Sequence, residues 1–288
     1  MLKLIFSYSD TKFKNMIQNM LKMPLFSLCL LSPLISCVSV PGTDRKAFIL
    51  LSKSKEESMG AAAYQETLKS FGAGSSKSKI ITSGKHYEML QRVGRRIAAV
   101  SHVRDYNWKF TLVDDEQKNA FCLPGGKVVF YTGILKDLQN EAGMAIVMGH
   151  EVAHAVARHG AQRVSNAMAL NAGVLVLSAA AFREDPEKFQ TSMALLGAGA
   201  AVGVTLPFSR SNETEADSIG IMYAAKSGYD PREGPRFWAR FGKGASATPQ
   251  WLSTHPHGKN RVNNLNKLIP EAMKLYNQSP KHGLGESI

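Results

Sequence analysis

The chain has 288 residues, 44% of them hydrophobic and 20% charged, with a formal net charge of +12. This length and composition suit one large or compactly two-lobed soluble domain. No internal repeat and no nucleic-acid-binding module is present, so the basic balance is read as a surface suited to anionic membranes or acidic partners rather than to DNA.

The N-terminus reads as a targeting segment. Lys12, Lys14 and Lys22 precede a mostly apolar run, 24–35, that is short for a membrane span, and Leu34-Ile35-Ser36-Cys37 closes it. That tetrad looks like a bacterial lipobox, with Cys37 as the lipid-bearing residue. A simple signal peptide or single anchor is the alternative, and Met16, Met20 and Met23 are other possible starts. The predicted organisation is a lipoprotein signal peptide over 1–36, a lipid-anchored segment over 37–54, a catalytic domain over 55–277, and a disordered tail over 278–288. Residues 1–36 carry four Lys and one Asp, so their removal leaves 31 basic and 22 acidic residues, or +9. Cys29 would leave with the signal and Cys37 would carry lipid. Cys122 would then stand alone, with no intramolecular disulfide possible although export permits one.

Helices with polar faces are predicted over 55–71 and 84–100, joined by a Gly- and Ser-rich link. The β-branched and aromatic runs 109–113 and 127–131 read as strands, with Leu123-Pro124-Gly125-Gly126 a turn before the second. Two Ala- and Gly-rich apolar stretches, 167–182 and 193–208, are about sixteen residues each and marginally short to span a membrane. They are read as buried helices, or as a mobile hairpin over the cleft or on a membrane, with 183–188 as their polar connection. A C-terminal helical part begins at Arg236.

His150-Glu151-Val152-Ala153-His154 carries the chemistry. On a helix, residues i and i+4 share a face, so both imidazoles reach one metal. Glu151 lies roughly 100° around, beside the metal, where a carboxylate can take a proton from water. The pattern H-E-x-x-H is the mark of zinc metalloproteases, and the apolar, proline-free run 142–149 before it suits a helix. The alternative is a buried helix that happens to hold two histidines, an uncommon use of apolar space.

A third protein ligand is needed. His159 lies five residues after His154, roughly 140° off the ligand face, and is read as a helix-end histidine in a basic last turn with Arg158. Glu213, in Ser209-Arg210-Ser211-Asn212-Glu213-Thr214-Glu215-Ala216-Asp217, is the better candidate. Glu213 and Asp217 are again an i, i+4 pair, so one can bind metal while the other orients a ligand histidine. Glu215 is expected to point away. By spacing alone, a solvated helix start remains the competing reading.

The motifs H-E-x-x-H-A-x-x-R-H-G, S-R-x-x-E-x-E-A-D and S-T-H-P-x-x-x-x-R stand in that order at 150–160, 209–217 and 253–261, after Asn119-Ala120-Phe121-Cys122-Leu123-Pro124-Gly125-Gly126. Together they resemble the HtpX and CAAX-prenyl-protease family of zinc metalloendopeptidases, of gluzincin type, and most of all its periplasmic lipoprotein branch. The resemblance covers nearly everything after residue 40. It implies an α+β fold, a mainly helical metallopeptidase domain with a small antiparallel sheet whose edge lines the cleft. It implies one Zn2+ per chain held by His150, His154 and Glu213, with Glu151 as general base and Asp217 as the carboxylate behind a ligand. His255 corresponds to a histidine that stabilises the tetrahedral intermediate or caps the metal at rest, and the capped state is the expectation here. Arg261 would hold the His255 loop or meet a substrate carbonyl. Asn119 and Ala120 resemble the edge-strand pair that binds substrate backbone in zinc proteases with a glutamate ligand; a plain hairpin is the alternative.

The expected activity is hydrolysis of misfolded or unassembled envelope proteins by an enzyme lipid-anchored in the periplasm, at the outer membrane. Its partners would be protein or peptide substrates, the membrane and, in the alternative reading, the machinery of envelope protein assembly. In that alternative the chain is an assembly factor or chaperone whose protease activity is latent.

Overall fold

The computed structural model describes residues 37–71, 78–181, 188, 208–241, 250–255 and 260–288. The expected signal segment 1–36, the connection 183–187, nearly all of the stretch 193–208 and residues 256–259 with His257 lie outside them. Among the described residues, no helix is long and apolar enough to cross a membrane.

Residues 38–288 form one compact unit. The chain enters through a two-stranded sheet, β1 (Cys37–Ser39) and β2 (Lys46–Phe48). Helix α1 (Lys53–Ser70) follows, its first turn capped by the Ser52 hydroxyl, which accepts from the Lys55 amide. Strand β3 (Lys79–Ile81) and helix α2 (Lys85–Val100) lead into β4 (Lys109–Asp114), β5 (Ala120–Leu123) and β6 (Lys127–Tyr131). The second sheet has the order β3-β4-β6-β5. Its outer pairs, β3/β4 across helix α2 and the β5/β6 hairpin, are antiparallel. The central pair β4/β6 is parallel. Every residue of β6 is buried, so β6 takes an inner position, and the chain passes it after β4 to lay β5 on the outside. The β5–β6 turn uses Gly125 and Gly126 at φ of 74° and 82°, a region open to glycine at no steric cost. The strand before that turn thus becomes the sheet edge, and it packs on the helix of the metal motif.

That helix is α4 (Glu141–Val156), reached through the short α3 (Thr132–Leu138). The Asn140 side chain caps it, accepting from the Gly143 amide at 2.8 Å. All of its residues are buried, since α2, β5, α6 and α7 surround it. Its N-terminal Glu141 is fully enclosed and carries its charge against Arg92 and Arg96, with the Tyr229 hydroxyl donating at 2.8 Å. The chain leaves α4 through Ala157 and Arg158, and Arg158 adopts φ of 55°. Its guanidinium holds this left-handed joint by donating to Glu56 at 2.6 Å and to the Leu51 carbonyl at 2.9 Å. A new helix, α5 (His159–Ala181), starts at once. His159 therefore opens a helix instead of closing the metal helix, contrary to the reading from spacing. The first Ala- and Gly-rich stretch forms the distal part of α5, where Met168, Leu170 and Leu175 are exposed.

The remaining helices are α6 (Arg210–Lys226), α7 (Glu233–Arg240), α8 (Gln250–Thr254) and α9 (Arg261–Gln278). Helices α4 and α6 meet backbone to backbone. A Cβ on Gly149 would stand 2.5 Å from the Gly220 carbonyl oxygen, and one on Gly220 would stand 2.7 Å from the His150 nitrogen. Neither position tolerates a side chain without moving a helix.

The end of the chain corrects one expectation. Residues 278–288 are not a disordered tail. The His282 amide donates to the Gly228 carbonyl, the Glu141 amide to the Glu286 carbonyl, and the Ile288 amide to the Gln139 carbonyl, while Ser287 bridges Asn140. Glu286 also pairs with Arg92 at 2.7 Å. The segment looks unstructured in sequence because the bonds that pin its end go to distant residues, which leaves it no periodicity of its own.

Candidate active site

Helix α4 carries His150 and His154 on consecutive turns, with Glu151 next to His150, all buried. Helix α6 begins at Ser209, whose hydroxyl accepts from the Asn212 amide, and this start sets Glu213 in the first turn and Asp217 one turn on. Since Gly220 lies against Gly149 and His150, the carboxylates of α6 are carried up to the imidazoles of α4. The third contribution is His255, whose amide donates to the Trp251 carbonyl at 2.8 Å and so continues α8.

Four side chains converge. His150 Nε2 and His154 Nε2 are 3.0 Å apart, and His255 Nδ1 is 3.2 Å from His150 Nε2. Glu213 Oε1 lies 3.1 Å from His255 Nδ1 and 3.3 Å from His154 Nε2. The donor atoms of all four residues fall within 4.8 Å of one another. A tetrahedral zinc site with bonds of about 2.0–2.1 Å has ligand atoms about 3.3 Å apart, so the spacing fits. The chemistry fits too. Three imidazole nitrogens and a carboxylate turned on one point, sealed from water, lack the protons to satisfy each other and call for a cation.

The electrostatics agree. Burial pulls the His150 pKa down, but hydrogen bonds to Asp217 and Glu213 outweigh it and raise it to about 9. His154 goes the other way and is pushed well below its ordinary value, by burial above all. Burial opposes ionisation of Glu213, yet hydrogen bonds from His150, His154 and His255 hold its pKa far below the usual carboxylate range. Glu213 is thus held ionised among the imidazoles, with the Arg261 guanidinium beside it.

Behind these donors, Asp217 Oδ1 takes His150 Nδ1 at 3.0 Å, leaving Nε2 to face the cluster. Arg261, the first residue of α9, grips Asp217 with Nε at 2.6 Å and Nη2 at 2.8 Å, and donates Nη1 to Glu213 at 3.1 Å. Its guanidinium lies over the Trp238 ring, 3.4 Å from the centroid. Arg261 therefore clamps the two carboxylates from behind the donor group, at the side of Asp217 as expected.

Glu151 stands beside the donors, with Oε1 3.6 Å from His255 Nε2. Burial raises its pKa, with His255 and His150 pulling the other way. Trp251 donates its indole N–H to Glu151 Oε1 at 2.8 Å. Sequence reasoning missed Trp251, although its place one helical turn before His255 was a signal that both face one way. It also missed Phe208, whose ring stacks on His154 with centroids 4.2 Å apart. Glu215 points away from the donor group, as expected, and bonds His159 Nε2 at 2.7 Å.

Ala120 is the first residue of the edge strand β5 and is buried, paired with Phe130 of β6. Asn119 precedes it and accepts the Tyr131 amide on its carbonyl at 3.1 Å. The Trp251 amide donates to the Lys118 carbonyl at 3.1 Å, which ties this strand start to α8.

Comparison with known proteins matches the same part of the chain. The model of peptidase family M48, whose members are zinc metallopeptidases, fits residues 85–269. The mitochondrial metalloendopeptidase OMA1 of Schizosaccharomyces pombe is 36% identical over 237 residues, 81% of this chain and 66% of its own length. OMA1 of Arabidopsis thaliana is 40% identical over 184 residues, 63% of this chain and 36% of that protein. A putative beta-barrel assembly-enhancing protease of Vibrio cholerae is 34% identical over 185 residues, 61% of this chain and 37% of that one. The chain thus spans between about a third and two thirds of the length of these relatives. Matched over the stretch that carries both ligand helices and the His255 segment, this chain belongs to peptidase family M48.

Proposed function

We propose that the chain is a zinc metalloendopeptidase, anchored by lipid on Cys37 to a membrane of the bacterial cell envelope, that cleaves misfolded or unassembled envelope proteins. The observation that carries the activity is the buried group His150, His154, Glu213 and His255 with the Glu151 carboxylate beside it. When bound there, zinc supplies a Lewis acid for water and for the scissile carbonyl.

The chain's own residues do the rest. Asp217 and Arg261 hold His150 and Glu213. Glu151 takes the proton from water and passes it to the leaving amine, and its raised pKa brings it closer to working pH. The edge strand β5 offers backbone groups to an extended substrate, with Asn119 and Ala120 at its start. His255 completes the donor group at rest and stands ready to face the developing oxyanion once displaced.

The purified chain should hydrolyse casein, lose that activity to a strong chelator, and regain it with added zinc. Full hydrolysis with zinc shown absent would refute the proposal. The placement in the envelope, and in the periplasmic lipoprotein branch, is supported by the pattern Leu34-Ile35-Ser36-Cys37. Cys37 is an exposed free thiol at the start of β1. Several acyl chains on it, at ~0.8 kcal/mol per buried methylene, would bind a membrane stably. Cys37→Ser should abolish palmitate labelling and release the protein from membranes; undiminished labelling would disprove the anchor.

One observation favours a second reading. His255 already fills the donor group, which suits a protein whose proteolysis is held back, and the Vibrio cholerae relative is named for enhancing barrel assembly. In that reading the fold binds envelope proteins during assembly and cuts only when His255 moves.

A further inference from the structure

We propose that His159, Glu215 and Arg45 form a positioning relay that fixes the orientation and tautomer of the ligand His154. This inference rests on the reading of His150, His154 and Glu213 as the zinc ligands. His154 turns Nε2 to the donor group, so its proton sits on Nδ1 and needs an acceptor. The atom it meets is His159 Nδ1, 2.9 Å away. For that nitrogen to accept, the His159 proton must sit on Nε2, and Nε2 lies 2.7 Å from Glu215 Oε2. Glu215 in turn accepts from Arg45 Nε at 2.9 Å and Nη2 at 2.6 Å. Arg45 is braced on Gln162 Oε1 at 3.3 Å, and Gln162 donates to the Ala157 carbonyl at 2.6 Å.

Each link has one donor and one acceptor, and a single placement of protons satisfies all of them. The His159 side chain is fully enclosed, so water cannot replace it. A His159 with its proton on Nδ1 would set a donor against the His154 Nδ1 proton, so only the Nε2 tautomer, facing Glu215, completes the chain. The two histidine ligands are thereby held by the same logic: His150 by Asp217 directly with Arg261 behind it, His154 by Glu215 through a histidine with Arg45 behind it. Arg45 lies between β1 and β2, so the first few residues of the described chain are wired to the metal site.

The competing view is that His159 and Glu215 merely pair to start α5. The test separates the two by zinc affinity of the full-length protein in detergent, read by competition with a chromophoric chelator, and by the visible spectrum of the cobalt-substituted protein. His159→Leu fills the space but offers no acceptor. It should weaken zinc binding by about 10–100-fold and alter the cobalt bands. His159→Asn, with an amide oxygen near the place of Nδ1, should recover most of that loss. Glu215→Gln and Arg45→Met, further from the metal, should weaken zinc binding in the same direction, while melting of the metal-free forms stays close to wild type. His159→Leu with wild-type zinc affinity and an unaltered cobalt spectrum would overturn the relay. If His159→Leu does not fold, wild-type affinity in both Glu215→Gln and Arg45→Met overturns it instead. A wild-type chain that binds no zinc would defeat the underlying metal-site reading, a result distinct from either.

Discussion

Glu151→Gln will keep its zinc and lose peptide hydrolysis by roughly 10²–10⁴-fold, the usual worth of a general base. The amide has the size of the carboxylate and still accepts the Trp251 indole N–H, so the packing around α4 is preserved. What disappears is basicity at a buried oxygen whose neighbours are His255 and Trp251. The measurement is turnover of a quenched fluorescent peptide alongside zinc content per chain. Wild-type turnover with zinc retained would remove Glu151 from the reaction. The same variant in cells divides the two functional readings: envelope integrity maintained by an inactive protein points to assembly, and its loss points to proteolysis.

Glu213→Gln and His255→Ala will behave in opposite ways, although both residues belong to one donor group. Glu213 is the only carboxylate in that group, and it faces His150, His154, His255 and Arg261 together. A Gln there sets an amide against three imidazoles and an arginine, and it removes the charge that a cation would balance. Zinc binding should fall by more than the ~10–100-fold typical of residues one step behind a ligand. His255→Ala removes a neutral donor that water or substrate can replace, so zinc should stay, and casein hydrolysis should rise as the group opens. Zinc per chain after dialysis against a weak chelator, with casein turnover beside it, reads both effects. Equal zinc loss in the two variants would make His255 a permanent ligand and end the capping idea.

The part of the site legible in sequence is the part written on continuous helices. His150 with His154, and Glu213 with Asp217, follow from the i, i+4 rule, and both pairs meet as the spacing implies. The misplacement of His159 has the same root. Angular reckoning from His154 assumed that α4 ran on, but the chain turns at Arg158, a non-glycine residue at positive φ held by Glu56 from α1. Nothing near Arg158 in the chain announces that partner. The parallel pairing of β4 with β6 was hidden likewise, because strand order depends on which strand is most buried and not on the turn between neighbours. Trp251, Trp238 and Phe208 belong to no metal-binding pattern in the sequence. Their rings line the metal group because three separate segments converge on α4.

The contact of Gly149 with Gly220 reaches further than packing. With no side chain between them, the gap between the two ligand helices is a bond-length matter, set by backbone atoms already touching. Two imidazoles and a carboxylate are therefore gauged before any ion arrives, and Arg261 keeps the carboxylates from repelling one another in the meantime. This differs from the small domains that fold only around their metal, because here the spacing of the ligand helices is set by their own backbone contact. What remains adjustable is the corner supplied by α8. The helices hold a fixed calibre, and in the proposed mechanism His255 is its shutter.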